Sequence, residues 1–525
     1  MTGYYFFLNR RNSGDGFAEA INSRFFVDKS LLIDAVNAKI STKEKWICIS
    51  RPRRFGKTMN LEMLSAYYTK GINTEDLFQG LKITKSPGFY KHLNQHNVIC
   101  INFNDYFDSG QTVSEGIALL SERLKKDLQQ AYPDTIDPAE ELPLCLDMVG
   151  QAKGEKFIFL VDEWDCVFRF RKGQKQEQEE FLGFLRALFK DRAYVELVYM
   201  TGILPIKKYN TGSALNMFRE FTMLEPKKLA SFFGFSEKEV KELCKKQGMI
   251  HLEELRLWYD GYDMPEDASI YNPRSVVEAL EEGSCRDYWN KTGGFSELEE
   301  YITMNFDGLG DSVKKLVAGD RVEVSVIGFS NDLDSFQDRD EVITALIHLG
   351  YLTYKDGWAY IPNREIQEEF VNTVKKLSWG MVSRLLNQSR ELLKATCNKD
   401  QDRVAELLED THDGLMEFKE YNSEQTLKCV IHLAYYAAVD DYDLQFEAPS
   451  GKGYADCLMV PRKSGLPGIV LELKYGRSPQ EALKQIKERK YTKHLRDNCT
   501  QALLVGINYD KKNKKHECLI EEAGI

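Results

Sequence analysis

The 525-residue chain contains no run of about 18 apolar residues, so no segment reads as a membrane-spanning helix. Its start, MTGYYFFLNRRNSGDG, has an apolar stretch too short for a span and no signal-peptide cleavage pattern, which points to a cytoplasmic protein with no membrane partner. C-x-x-C pairs are absent: the 11 cysteines are scattered among mostly apolar neighbours and read as reduced thiols, not as a zinc site or disulfide framework. The 8 histidines form no H-x-x-H or H-E-x-x-H cluster. An excess of positive charge is missing too, since 70 Lys and Arg stand against 81 Asp and Glu for a net charge of -11. The whole molecule is therefore no polycation, and any nucleic-acid contact has to come from a local patch. Internal repeats and long disordered linkers are also lacking. What remains is an ordinary globular composition, 43% hydrophobic and 29% charged, long enough for about three or four domains.

Four short apolar runs, WICIS (46–50), VICINF (98–103), FIFLVD (157–162) and VELVYMTG (195–202), are separated by helix-length segments. Buried parallel strands in βαβ units read this way, so residues 1–225 are expected to form an α/β domain with a mostly parallel sheet. Residues 226–375 turn helical, with amphipathic FSEKEVKELCKKQG and LEELRLWYDGY. They end in a helix and hairpin across DEVITALIHLGYLTYKDGWAYIPN, with its turn at Lys355-Asp356-Gly357. This connector reads either as winged-helix-like or as a small generic α+β unit. Residues 376–525 read as helices followed by strand, strand, strand, helix, strand, a second α/β domain.

The strand WICIS runs into RPRRFGKT and then an amphipathic helix. That order suits a phosphate-binding loop: Arg53, Arg54, Phe55 and Gly56 form the turn, Lys57 reaches phosphate oxygens, and the Thr58 hydroxyl ligates Mg²⁺. Arg51 stands where the usual pattern has a glycine, and a bare Gly-Lys-Thr recurs by chance. The added weight comes from FIFLVDEWD, whose strand ends in Asp162 and Glu163. There one carboxylate can serve the metal shell and the other can orient the attacking water. Thr201, before Gly202 at the end of the next apolar run, is either a phosphate-sensing residue or a plain turn. Arg53, Arg54 and Arg219 are candidates for a phosphate contact or an arginine finger, against a solvated surface role.

FFVDKSLLIDAV, RPRRFGKT, VDEWD, MTGILPI and LNMFRE together resemble the AAA-ATPase-like family, P-loop proteins of bacteria and archaea whose loop also lacks the first glycine. The resemblance implies ATP as the ligand and a P-loop NTPase fold. It makes Asp28 and Lys29 part of an N-terminal signature of unassigned role.

Near the C terminus, GYADCLMV carries Asp456 and GIVLELK carries Glu472 and Lys474. Residues two apart on a strand share a face, and an antiparallel neighbour can bring Asp456 to it. Charges on so apolar a strand cost several kcal/mol unless they are paired or ligate metal. Two readings follow: a Mg²⁺ or Mn²⁺ site with Lys474 orienting a water, or a structural ion pair. Between Gly476 and Lys515 eleven basic residues face four acidic ones, which reads as a phosphate-attracting patch or as a solvated helix face. This part resembles the PD-(D/E)xK nuclease superfamily. The resemblance implies Asp456, Glu472 and Lys474 as the catalytic trio, Glu424 as an accessory metal acid and Gln485 as an orienting residue. Gly453-Tyr454 stands where many relatives have Gly-Arg before the aspartate.

The combined expectation is an ATP-dependent or ATP-regulated, metal-dependent nuclease acting on nucleic acid, DNA foremost, with a homo-oligomeric state left open. The competing reading is an ATP-switched nucleic-acid or protein-binding module whose nuclease fold does not cleave.

Overall fold

The computed structural model describes residues 5–107, 110–206, 215–264, 268–289, 295–304, 306–327, 329, 336–377, 380–413, 431, 433–450, 453–463, 465–489, 491, 495, 499–510, 513 and 515–524. The four expected N-terminal runs are strands: β1 (Trp46–Ser50), β2 (Asn97–Asn102), β3 (Phe157–Asp162) and β4 (Val195–Gly202). A short β5 (Arg219–Phe221), not expected from the sequence, completes an all-parallel sheet in the order β2-β3-β4-β1-β5. β3 is buried along its whole length, as a strand covered on both faces must be. The order matters for chemistry, because β4 lies between β1 and β3. The end of β4 therefore separates the loop after β1 from Asp162, and Ile49 and Ser50 pair with Thr201 and Gly202.

Helix Lys57–Tyr68 leaves the loop and buries nine of its twelve residues. Tyr67 packs edge-on against Phe78, and Phe17 closes the same cluster. The Tyr67 and Tyr68 hydroxyls donate to the Phe89 carbonyl and to Asn37 Oδ1, so these large rings enter the core with their polar ends satisfied.

The chain groups into two compact units, 1–294 with 323–366 and 295–322 with 367–525. In the first, helices Glu237–Gln247, Leu252–Tyr259 and Pro273–Glu282 follow the parallel sheet. The expected helix and hairpin are present as Arg339–Leu349, Thr353–Lys355 and Trp358–Tyr360. That helix is buried from Val342 to Leu349, so its surface is committed to packing and not open to a nucleic-acid groove. It ends at Gly350 with φ 88°, where a Cβ would come within 2.6 Å of the Pro52 ring and 3.4 Å of Trp289. The hairpin element is thus fitted directly onto the loop that follows β1.

In the second unit, strands Tyr442–Ser450, Gly453–Pro461, Gly468–Tyr475, Gln501–Asp510 and Lys515–Gly524 form one mixed sheet in that order. Only the Gly468–Tyr475 and Gln501–Asp510 pair is parallel. The fifth strand goes beyond the sequence expectation, although His516, Cys518 and Ile520 alternate inward with period two. Helix Pro479–Arg489 packs its Ala482, Leu483 and Ile486 on the sheet. Gly506 permits the approach, since a Cβ there would meet the Pro479 carbonyl at 2.5 Å.

Gly261 offers a test of how tightly the hairpin region is fitted. Its φ is 98°, and a Cβ would overlap the Pro362 carbonyl oxygen. Gly261→Ala is expected to cost about 3 kcal/mol or more. Gly357→Ala, at φ 89° in open space, should cost only about 1 kcal/mol. Denaturant unfolding of the two variants checks the difference.

Candidate nucleotide and metal sites

The loop after β1 closes at Gly56, whose φ of 81° in the left-handed region suits glycine. No side chain caps helix Lys57–Tyr68. Lys57, 5% exposed, donates to the carbonyls of Arg51 (3.0 Å) and Pro52 (2.9 Å), so the ammonium is folded over its own loop. Burial pulls its pKa down, with Glu163 and Asp162 opposing. The Thr58 hydroxyl donates to Asp162 Oδ2 at 2.7 Å, and the Thr201 hydroxyl donates to Asp162 Oδ1. Threonine, aspartate and threonine thus form one polar row from the start of helix Lys57–Tyr68 across the ends of β3 and β4. Thr58 and Asp162 present oxygen atoms of the kind a hard divalent cation takes.

Glu163 follows with φ 53°, its N–H donating to Asp162 Oδ1 at 3.0 Å. Its carboxylate pairs with Arg169, and burial, followed by Asp165, raises its pKa. Asp165 went unremarked in the sequence. It is fully buried and accepts the N–H groups of Ile203 (3.1 Å) and Leu204 (2.9 Å), tying the end of β3 to the end of β4. Gly202 is required beside it, because a Cβ there would lie 2.5 Å from Trp164. VDEWD and MTG are therefore one packed corner; no periodicity in the sequence signals that.

Arg51 explains the missing glycine. Its side chain is 0% exposed and donates to the carbonyls of Ser50 and Phe221, both at 2.9 Å, bracing the end of β1 against β5. Burial lowers its pKa to about 10. Arg53 lines a cavity of about 600 Å³ that opens beside Gly56, Lys57 and Thr58, with Phe25, Val27 and Val277 among its walls. Arg54 lines it too, yet its guanidinium donates to the Tyr288 carbonyl at 2.8 Å. Phe55 is buried edge-on against Tyr262 at 5.0 Å. Arg219 sits opposite Ile47, at the other end of β1, in an ion pair with Glu44, so it does not join the group. The signature residues gain structural roles: Lys29 pairs with Glu239 at 2.7 Å, and Asp28 accepts the N–H groups of Ser30 and Lys82, both at 2.8 Å.

At the C-terminal site the antiparallel ladder pairs Cys457 with Leu471. One step further, Asp456 Oδ2 accepts the Leu473 N–H at 2.8 Å, which brings this carboxylate to the Glu472 strand. Glu472 and Lys474 share a face, Nζ to Oε1 2.9 Å. Gln485 donates to the same Oε1 from the covering helix. Glu472 is 3% exposed, and its buried Oε2 has no hydrogen-bond partner among the described residues. Burial, then Asp456, pushes its carboxyl up to about 7 against the pull of Lys474. A buried carboxylate oxygen beside a second acid fits a divalent cation. Among the described residues no group of three or more His, Cys, Asp or Glu gathers to hold a metal, and Glu424 lies outside the described residues. Tyr491, not singled out in the sequence, stands 3.5 Å from Gln485 Nε2 and 3.3 Å from Arg489 Nη1. Part of the basic stretch is neutralised locally, with Lys487 paired to Glu521 and Lys484 to Glu488.

Glu472 yields a test with a definite sign. Its raised pKa means a proton stabilises the fold fully below about 4.5, and this stability is lost as pH rises through about 7. In metal-free protein at pH 8, Glu472→Gln should unfold a few degrees above wild type, and the gap should close toward pH 5. Thermal unfolding in a chelator at both pH values checks this.

A family model described as a predicted AAA-ATPase matches residues 15–211, and one described as the PD-(D/E)XK nuclease superfamily matches residues 422–518. An uncharacterized protein in the vnfD 5′ region of Azotobacter chroococcum mcd 1 is 26% identical over 263 residues, 49% of each chain, so the match spans about half the length of that relative. A Walker-type ATPase of Pyrococcus abyssi is similar over 65% of this chain and 94% of its own, at 13% identity and a TM-score of 0.34. The ORC2 protein of Aeropyrum pernix, solved with ADPNP and ADP, is similar over 70% and 94%, at 11% identity and a TM-score of 0.31. The chain therefore joins an AAA-ATPase-like domain at residues 15–211 to a PD-(D/E)XK nuclease superfamily domain at residues 422–518.

Proposed function

We propose that this chain is an ATP-dependent or ATP-regulated nuclease. ATP would be hydrolysed at the Lys57 loop, and a nucleic acid, DNA foremost, would be cut at the Asp456, Glu472 and Lys474 site. The observation that carries the reading is the buried, unpartnered Glu472 oxygen beside Asp456 and Lys474. The second acid, Asp456, brought to the same strand is what supports a cation there over a structural ion pair.

In the first reaction Lys57 exchanges its loop carbonyls for the terminal phosphates of ATP and offsets the charge that develops there. Thr58 and Asp162 hold Mg²⁺, Thr201 keeps Asp162 oriented, and Glu163 turns the attacking water. In the second, Asp456 and Glu472 would hold Mg²⁺ or Mn²⁺, with Glu424 as a further donor from outside the described residues. A cation bound there would supply a more acidic water and charge neutralisation for the phosphate. Lys474 orients the nucleophilic water and stabilises the crowded phosphorus centre, while Gln485 fixes the Glu472 carboxylate. Three functional segments follow: 1–225 for nucleotide chemistry, 226–375 as connector and 376–525 for cleavage. A cytoplasmic setting belongs to this reading; among the described residues no helix is long and apolar enough to cross a membrane.

Phosphate release and cleavage of plasmid and linear DNA, with Mg²⁺ or Mn²⁺ and with or without ATP, test the two halves separately. Lys57→Ala should lower phosphate release by about 10²-fold and Lys474→Ala should lower cleavage by a similar factor. Unchanged phosphate release in Lys57→Ala rejects the ATPase half, and cleavage persisting in Lys474→Ala rejects the nuclease site. A wild type that binds nucleic acid and cuts neither DNA nor RNA leaves the binding-module reading.

A further inference from the structure

Arg54 stands in the nucleotide loop but is held from outside it. Its backbone sits at φ 70°, in the left-handed region that a non-glycine residue occupies at a cost. The side chain borders the cavity beside Lys57 and Thr58, and from there it donates to the Tyr288 carbonyl at 2.8 Å, with its guanidinium carbon 5.8 Å from the centre of the Trp289 ring. A guanidinium over an indole face is attracted by the ring quadrupole, so a carbonyl and a ring together fill the role a phosphate oxygen would otherwise take.

The Tyr288-Trp289 segment is itself pinned. Glu365 Oε1 accepts both of its N–H groups, at 2.9 and 3.0 Å, and Oε2 accepts the Ser275 hydroxyl at 2.8 Å. Among the described residues no basic side chain hydrogen-bonds Glu365; the Arg54 charge acts on it through space. Burial pushes the Glu365 carboxyl up to about 8. Glu365 opens helix Arg364–Lys376, and Ser275 lies in Pro273–Glu282 beside the cavity-lining Arg274. One carboxyl thus joins the anchor of Arg54 to a wall of the cavity and to the helix that leads out of the ATPase part.

We propose that Arg54 is a nucleotide-responsive positioning residue that exchanges the Tyr288 carbonyl and Trp289 ring for a nucleotide phosphate, so that occupancy of the cavity releases the segment held by Glu365. This rests on the nucleotide-binding reading above and adds the route by which occupancy is communicated. Phosphate is the stronger partner, because a charge-assisted bond replaces one to a neutral carbonyl. The resting contacts therefore act as a competitor for Arg54.

The competition gives the two sides opposite signs. With the full chain and AMPPNP as the probe, Trp289→Ala should lower the Kd about threefold or more, and Arg54→Ala should raise it about tenfold. Emission assigned to Trp289, by difference from Trp289→Phe, should shift when AMPPNP binds wild type and stay still in Arg54→Ala at saturating AMPPNP. Circular dichroism confirms that each variant is folded, and Trp289→Phe, which keeps a weaker ring, should give an intermediate Kd. Equal or same-direction Kd changes in Trp289→Ala and Arg54→Ala overturn the exchange, as does AMPPNP binding with no shift of Trp289 emission. A wild type that binds no AMPPNP overturns the nucleotide reading itself, and the exchange with it.

Discussion

A carboxylate at the end of a buried strand must find a proton, a cation or several donors, because burial removes the water that would otherwise solvate it. Two acids meet that constraint in different ways. Asp162, 4% exposed, accepts from two threonine hydroxyls and a backbone N–H. Glu472, 3% exposed, has one oxygen bonded to Lys474 and Gln485 and the other with no partner among the described residues. The first is a preorganised polar row, and the second is a carboxyl whose ionisation burial makes costly. Much of the surrounding architecture serves these two strand ends. β4 carries Thr201 between β1 and β3, and Gly506, the register partner of Glu472, lets the covering helix come close enough for Gln485 to reach.

The loop that lacks its first glycine follows a related logic with the opposite charge. Arg51 gives up solvent entirely and braces β1 against β5 through two carbonyls. In return, its own carbonyl and that of Pro52 hold the Lys57 ammonium. Pro52 is met from the other side by Gly350, at the end of the buried helix Arg339–Leu349. The nucleotide loop is therefore set by the strand before it and by a connector more than 280 residues later in the chain. Its conformation cannot be changed locally without disturbing both.

Residues whose placement follows from one strand or one loop are legible in the sequence. The four apolar runs, the Lys57 loop, Asp162 and the Glu472-Lys474 face needed only the period of a strand and the composition of a turn. Roles set by tertiary packing are not. Asp165 reads as one more acid in VDEWD until its hydrogen bonds to Ile203 and Leu204 appear. The sequence gives no sign of the bond from Arg54 to the Tyr288 carbonyl, nor of the β5 pairing that sets Arg219 opposite Ile47. The basic stretch after Gly476 overstated the positive surface, because Glu488 and Glu521 neutralise part of it. The last strand was visible as alternation at His516, Cys518 and Ile520, a two-residue period outside the region where the catalytic pattern draws the eye.

The central claim is that Asp456 and Glu472 form a metal site distinct from the nucleotide site. Electron paramagnetic resonance of Mn²⁺ titrated into nucleotide-free protein tests it most directly. The account predicts one bound Mn²⁺ that disappears in Asp456→Asn and in Glu472→Gln and persists in Asp162→Asn. Mn²⁺ binding that survives both C-terminal substitutions would contradict it.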